Sequence, residues 1–207
     1  MKLDELKPQF HKSSDFAISK NMKNTKTLIL LLLTIILLSC KAQTLPMSTD
    51  LQDIPNGAYV KDSSNELQQY VGVYKANFQN NEITLSISKQ ENKLEERMNK
   101  SFYRDVLIVQ YSVKNSLGTV LQSTFNGNNS FIEFYSTGTW ASQNKVIFYY
   151  SGTHCSVGWG DIYLSKINST QISWEYRPDD ILTDDCPAGT DKTIYLPETK
   201  DLIFTKQ

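Results

Sequence analysis

From Val71 onward, the chain shows short segments in which apolar and polar residues alternate, separated by turn-forming residues. The clearest segment is 82–89, where Ile83, Leu85 and Ile87 alternate with hydroxyl-bearing residues. A period of two places the apolar side chains on one face of a β-strand. Repeated at short spacing, this pattern predicts an all-β, antiparallel barrel of about 8–10 strands, with a β-sandwich as the alternative.

Segment boundaries follow from the same pattern. We expect strands at 71–78, 82–89, 103–114, 119–125, 130–136, 145–151, 160–167, 171–177, 193–196 and 202–206. Ser63 and Glu66 have the spacing of a capping box, which predicts a short N-terminal helix ending near Gln69. Residues 90–101 are charged and lack a strand pattern, so we expect a loop or a solvated helical turn there.

An apolar run near the N-terminus indicates export. Residues 28–38 contain one polar residue and are too short for a transmembrane helix, which needs about 20 residues. Lys23 and Lys26 supply the preceding positive charge, so 1–39 is predicted to be a signal peptide. The acidic residues before Met22 do not suit such a signal, and we expect translation to start at Met22.

Cys40 closes the sequence Leu37-Leu38-Ser39-Cys40, which has the form of a lipobox. The expected outcome is cleavage before Cys40 and attachment of fatty-acyl chains such as palmitate. Two or more chains anchor a protein stably to a membrane. Lys41 follows and no acidic run is present, so the predicted address is the outer membrane, facing the periplasm. A plain secretory signal or an uncleaved anchor is the alternative.

The exported part divides into two predicted regions. Residues 40–57 are polar, with Pro46 and Pro55, and are expected to form the lipidated N-terminus and a tether. Residues 58–207 are expected to form a single β domain, rich in aromatic and β-branched residues. Removing 1–39 takes away more bases than acids, so the domain is mildly acidic. No basic patch suggests a nucleic-acid partner.

Two cysteines remain besides Cys40. In an oxidising compartment, Cys155 and Cys186 are expected to form a disulfide. A metal or catalytic thiol is the competing interpretation, but only His154 lies close in sequence, and one His with two distant Cys is not a zinc pattern.

No catalytic motif is apparent. His154 is the only histidine of 40–207, and the chain has no G-x-S-x-G sequence. The acids of the late loop, which are Asp179, Asp180, Asp184 and Asp185, match no calcium-binding spacing, so a solvated loop is preferred over a calcium site. Gly158-Trp159-Gly160 lacks the Lys-Ser/Thr ending of a phosphate loop, and a β-bulge is preferred. We therefore expect no enzyme, no metal and no cofactor.

A short helix followed by Tyr70-Val71-Gly72-Val73-Tyr74 resembles the start of lipocalin and fatty-acid-binding-protein barrels. In that superfamily the glycine allows close packing and an aromatic residue, normally Trp, plugs one end of the barrel. The resemblance implies these roles for Gly72 and Tyr74, with Tyr in place of Trp.

A second resemblance spans nearly all of the exported chain. It rests on Cys40-Lys41-Ala42-Gln43, Asp53-Ile54-Pro55-Asn56-Gly57, Gly152-Thr153-His154-Cys155, Cys186-Pro187 and Tyr195-Leu196-Pro197. These segments are similar to an uncharacterised lipoprotein family of flavobacterium-like bacteria. The resemblance implies address and extent, and it brings no activity.

Two functions remain open. One is a non-enzymatic binding module, anchored to the outer membrane, that holds a small apolar or amphipathic ligand. The other is an envelope structural or protein-interaction lipoprotein with a solidly packed barrel. An internal cavity favours the first, whereas a filled interior favours the second.

Overall fold

The computed structural model describes residues 43–179 and 186–207, and it is built almost entirely of β-strands. Eleven strands occur in the described residues: β1 (Thr44–Leu45), β2 (Tyr59–Val60), β3 (Gly72–Phe78), β4 (Asn81–Arg97), β5 (Lys100–Lys114), β6 (Val120–Ser123), β7 (Phe134–Trp140), β8 (Lys145–Tyr150), β9 (Gly160–Lys166), β10 (Gln171–Tyr176) and β11 (Thr199–Lys206).

Eight of these strands close into an antiparallel barrel. The order around it is β5-β4-β3-β11-β10-β9-β8-β7, and β7 pairs again with β5. The closing contact is narrow: Ile108 pairs with Tyr135, and the Leu107 amide donates to the Ser136 hydroxyl at 2.8 Å. The predicted all-β barrel, consistent with a calycin-like fold, is confirmed.

The β3–β4 hairpin shows why the alternating pattern was informative. Ile83, Leu85 and Ile87 point into the barrel and are at most 2% exposed. The turn consists of Gln79 and Asn80, both at positive φ, which is the conformation of a two-residue type I′ hairpin. Local turn chemistry and strand pattern therefore agree on one register.

The prediction of a loop or a solvated helical turn at residues 90–101 is wrong. β4 continues to Arg97 and β5 begins at Lys100, so the two strands form one long hairpin with Met98 and Asn99 at the turn. The register shifts between Gln90 and Lys93, where a bulge interrupts the pairing. Sequence pattern missed this extension because its buried face carries charged residues instead of apolar ones.

The predicted tether is also wrong for its described part, residues 43–57. β1 pairs in parallel with β2, and β2 pairs in parallel with the first half of β5. Met47 and Ile54 are buried in the core at 3% and 0% exposure. Each burial removes apolar side-chain surface from water, which fixes the segment on the barrel.

The N-terminal helix is reduced to a single 3₁₀ turn at Gln68–Tyr70. The capping box at Ser63 does not form. Instead, the Asp62 carboxylate accepts hydrogen bonds from the amides of Glu66 and Leu67, at 2.6 and 3.2 Å. An aspartate can satisfy these orphan amides as well as a serine can, and here the sequence pattern selected the wrong residue.

The expected strand at 193–196 is absent, and this segment crosses one end of the barrel as an irregular chain. Leu196 is 3% exposed, and the Pro197 carbonyl accepts a hydrogen bond from the buried Trp174 Nε1 at 2.8 Å. Among the described residues, no helix has the length and apolarity needed to cross a bilayer.

Candidate functional site

The barrel interior, where a calycin-like protein would hold a ligand, is occupied by aromatic rings. Seven of them contact one another with ring centroids 5.5 to 6.4 Å apart: Tyr111, Phe134, Phe148, Tyr150, Trp174, Tyr176 and Phe204. All are at most 3% exposed. Most of the contacts are edge-to-face, the arrangement that aromatic pairs favour.

Three tyrosine hydroxyls of this cluster form hydrogen bonds, to one another, to strand β6 or to the β8–β9 connection. Tyr111 and Tyr150 hydroxyls lie 2.9 Å apart, and Tyr111 also donates to Gln122 Oε1 at 2.5 Å. Tyr176 donates to the Gly158 carbonyl. Burial raises the pKa of Tyr150 to about 12, so these groups stay neutral donors at physiological pH.

Gly72 and Tyr74 lie together near the other end of the barrel. Gly72 has φ +147°, and a Cβ placed there would come within 2.4 Å of the Lys206 side chain. Tyr74 is fully buried, and the Nζ atoms of Lys166 and Lys206 both lie 5.8 Å from its ring centroid. The structure thus shows close packing at Gly72 and a buried, cation-flanked ring at Tyr74.

The predicted disulfide is confirmed. Cys155 and Cys186 are bonded, with their Cα atoms 5.7 Å apart. Cys155 lies in the β8–β9 connection and Cys186 in the β10–β11 connection, so the crosslink joins two loops of the barrel. His154 is exposed beside it, with its ring centroid 4.4 Å from that of Phe131. Among the described residues, no carboxylate or nucleophile forms a hydrogen bond or ion pair with this histidine.

Other predicted features cannot be placed. Cys40, the 1–39 signal and Met22 lie outside the described residues, as do Asp180, Asp184 and Asp185. Within the described part of the chain, no group of three or more His, Cys, Asp or Glu side chains is arranged to hold a metal ion.

The outer wall of the barrel carries a cleft that sequence analysis did not anticipate. The tip of the β4–β5 hairpin, the N-terminal segment at Met47–Leu51 and strand β7 enclose a volume of about 150 Å³. Its lining includes Glu95, Arg104 and Trp140. Trp140 is 44% exposed and stacks on Tyr163, so one aromatic ring lies at the edge of the cleft.

Glu95 and Arg104 are buried charges, each 3% exposed. Arg104 Nη1 donates to the Thr137 carbonyl, and burial lowers the pKa of Arg104 against the attraction of Glu95. Lys93 Nζ and Arg97 Nε lie 3.6 and 3.9 Å from the Glu95 carboxylate. Glu95 Oε1 and Arg104 Nε have no hydrogen-bond partner among the described residues.

A neighbouring network shows what complete pairing looks like in this protein. The buried Asp105 carboxylate accepts hydrogen bonds from the Tyr59 hydroxyl and from the amides of Asp62 and Asn92. Although burial raises the pKa of Asp105, these bonds hold it below its usual range. Lys89 Nζ bonds Asp62 at 2.8 Å. Because its acceptors are well bonded, we assign this network a structural role.

A second cleft, of about 330 Å³, lies beside the segment that crosses the barrel end. Its apolar lining residues are Phe78, Ile83, Leu121, Ile194 and Leu196.

The residues of the outer-wall cleft had a sequence signal that was overlooked. Lys93, Glu95 and Arg97 alternate with a period of two, and Arg104 with Asp105 interrupts an otherwise apolar strand. Charged residues at buried strand positions are rare unless they are paired, so this interruption is informative.

Comparison with known proteins adds a family and no relative with an assigned activity. No curated protein and no solved structure gives a significant match to the chain. A family model described as "Family of unknown function (DUF6705)" matches residues 22–207. Because this match spans well over half of the chain, the protein belongs to the DUF6705 family of unknown function.

Proposed function

We propose that this protein is a lipid-anchored, non-catalytic component of the bacterial cell envelope that makes its contacts through the outside of a solidly packed barrel. The observation that carries the proposal is the interior: contacting aromatic rings fill it, and chain segments close it. A filled interior has no room for the fatty acid or similar molecule that calycin-like barrels hold.

The proposed address rests on the Cys40 lipobox and the apolar run before it. Acyl chains on Cys40 would hold the protein at a membrane surface, with the outer membrane facing the periplasm as the expected location. Because β1 begins at Thr44, the folded unit would start only a few residues from the lipid. The barrel would therefore stand close to the bilayer instead of on a long tether.

The non-catalytic part of the proposal rests on the surroundings of the titratable groups. His154 lies against Phe131, and no acid or nucleophile of residues 43–179 and 186–207 is bonded to it. The buried Asp105 is held by structural hydrogen bonds. Catalysis would need a nucleophile, a base and an orienting group in mutual reach, and the described residues do not bring such a set together.

A second candidate function is storage of a small apolar molecule. The 330 Å³ cleft favours it, because several of its lining side chains are apolar. On this alternative the ligand would sit beside the crossing segment at 193–198 and outside the aromatic interior.

Native mass spectrometry of the protein, purified from the envelope and exchanged out of detergent, distinguishes the two functions. We expect the mass of the acylated chain with no apolar small molecule attached. A stoichiometric apolar molecule that survives gel filtration would overturn the proposal and support the second candidate. Glu198→Lys at the rim of the apolar cleft serves as a variant that would alter such binding without touching the core.

A further inference from the structure

The cleft on the outer wall contains a buried cation with no acid bonded to it. Arg104 is 3% exposed, and no carboxylate of the described residues lies within ion-pair distance of its guanidinium. Nη1 donates to the Thr137 carbonyl, and Nε has no hydrogen-bond partner in the part of the chain that the structure describes. Leaving a buried charge unpaired is strongly destabilising.

The nearby carboxylate does not supply the missing partner. Glu95 is approached by Lys93 and Arg97, at 3.6 and 3.9 Å, and these two cations offset its charge. Asp50 also lines the cleft, but it is exposed, so water screens its charge. Together with the partly buried Arg97, Arg104 gives the lining two cations against Glu95, its one buried acid.

The geometry of Arg104 fits a planar oxyanion. Because Nη1 donates to the Thr137 carbonyl, the edge of the guanidinium that remains available is the one that includes Nε. A carboxylate or phosphate binds such an edge through two parallel hydrogen bonds, which a lysine ammonium cannot reproduce. The Thr137 and Thr139 side chains line the same cleft, but their hydroxyls already donate to the Ile147 carbonyl and to Glu66 Oε2, so Arg104 is the group that would hold the oxyanion.

We propose that this cleft is a binding site for a small molecule bearing a carboxylate or phosphate group, held by the Nε edge of Arg104. The volume of about 150 Å³ admits a compact ligand and excludes a long acyl chain. Trp140 at the cleft edge gives the non-ionic part of the ligand a surface to pack on. The inference goes beyond the proposed surface function and holds whether or not the protein has a macromolecular partner.

Arginine Nε–H signals in ¹H–¹⁵N NMR spectra test the proposal directly. The probes are succinate and inorganic phosphate, titrated at constant ionic strength, with glucose as the neutral probe. We expect a saturable shift of the Arg104 Nε–H signal with at least one oxyanion and no saturable shift with glucose. Arg104→Lys keeps the charge and removes the planar edge, so binding should weaken by about tenfold or more.

Arg177→Gln is the matched control, because Arg177 is exposed and lies outside the cleft. Its binding curves should equal those of the unmodified protein. If Arg104→Lys fails to fold, the Nε–H titration of the unmodified protein still decides. No saturable shift with either oxyanion, a shift with glucose alone, or equal weakening in Arg177→Gln would overturn the proposal. None of these results decides whether an apolar molecule is bound, which native mass spectrometry tests separately.

Discussion

The structure allows the loss of folding stability on removal of the disulfide to be calculated. Cys155 and Cys186 are separated by 31 positions, and their crosslink restricts the unfolded chain. In the loop-entropy treatment, a loop of this size stabilises the folded state by about 3–4 kcal/mol. Residual structure in the unfolded chain reduces this value, so we expect a loss of about 2–4 kcal/mol when both cysteines become serine.

The backbone at the disulfide gives a second reason to expect a loss of stability below the about 3–4 kcal/mol of the loop-entropy treatment. Cys155 and Ser156 both have positive φ, at 56° and 57°, a conformation that costs free energy for residues other than glycine. Without the crosslink, this connection is free to relax to a more favourable conformation. Relaxation recovers part of the stability that the crosslink supplied.

Thermal unfolding followed by circular dichroism measures the effect. For a chain of this size, about 1 kcal/mol corresponds to roughly 2–4 °C, so Cys155→Ser/Cys186→Ser should melt roughly 5–15 °C below the oxidised protein. Reductant should lower the melting temperature of the oxidised protein by a similar amount and leave the double variant unchanged. Two reactive thiols in protein taken from an oxidising compartment, or equal melting temperatures, would refute the reasoning.

Three further predictions concern the anchor, the start and the tyrosines. Cys40→Ser should leave the protein unprocessed or move it from the membrane to the soluble fraction, and unchanged acylation and membrane retention on fractionation would contradict this. A gene beginning at Met22 should yield protein that is exported and acylated like the full-length form, and failure of that shorter form alone would refute it. Burial raises the pKa of Tyr70 and Tyr150 to about 12, so the folded state holds these protons more tightly than the unfolded state. Stability should therefore be full below pH 10 and fall between about pH 10 and 12, with a step in the absorbance at 295 nm that accompanies unfolding as the buried tyrosines ionise.

The barrel was predictable where one strand face is apolar and the turn is local. Ile83, Leu85 and Ile87 specify an inward face, and the following strands repeat the pattern. Cysteine counting also predicted the Cys155–Cys186 pair, because Cys40 was assigned to lipid and no other partner remained. These inferences depend on sequence neighbours or on elimination, so they needed no knowledge of distant contacts.

The hairpin tip and the N-terminal segment were missed for physical reasons. The buried face of the tip carries Glu95 and Arg104, so it lacks the apolar alternation that identifies a strand. Residues 43–57 look polar, and they are held to the barrel by parallel pairing with β2, by burial of Met47 and Ile54, and by hydrogen bonds to the start of β5. Such long-range contacts leave no periodic signal in a short segment.

The cleft was missed for the same reason as the hairpin tip. Arg104 belongs to an apolar strand and Glu95 to a charged run, and only the folded hairpin brings them into one cavity. Arg104 within the apolar strand was the available signal. Buried charges in strands are rare unless they are paired. A search of the sequence for the partner of Arg104 would therefore have indicated a site.

Xenon binding followed by methyl NMR shows whether the barrel interior is filled. Xenon enters apolar cavities that stay dry, including those left by truncating a large side chain. Phe148→Ala is the positive control, because Phe148 is fully buried among the aromatic rings and its truncation should leave a cavity at a cost of about 3–5 kcal/mol. The unmodified protein should show no saturable xenon shift at interior methyls such as those of Leu164, whereas Phe148→Ala should show one. A saturable shift at those methyls in the unmodified protein would reveal an internal cavity and contradict the account.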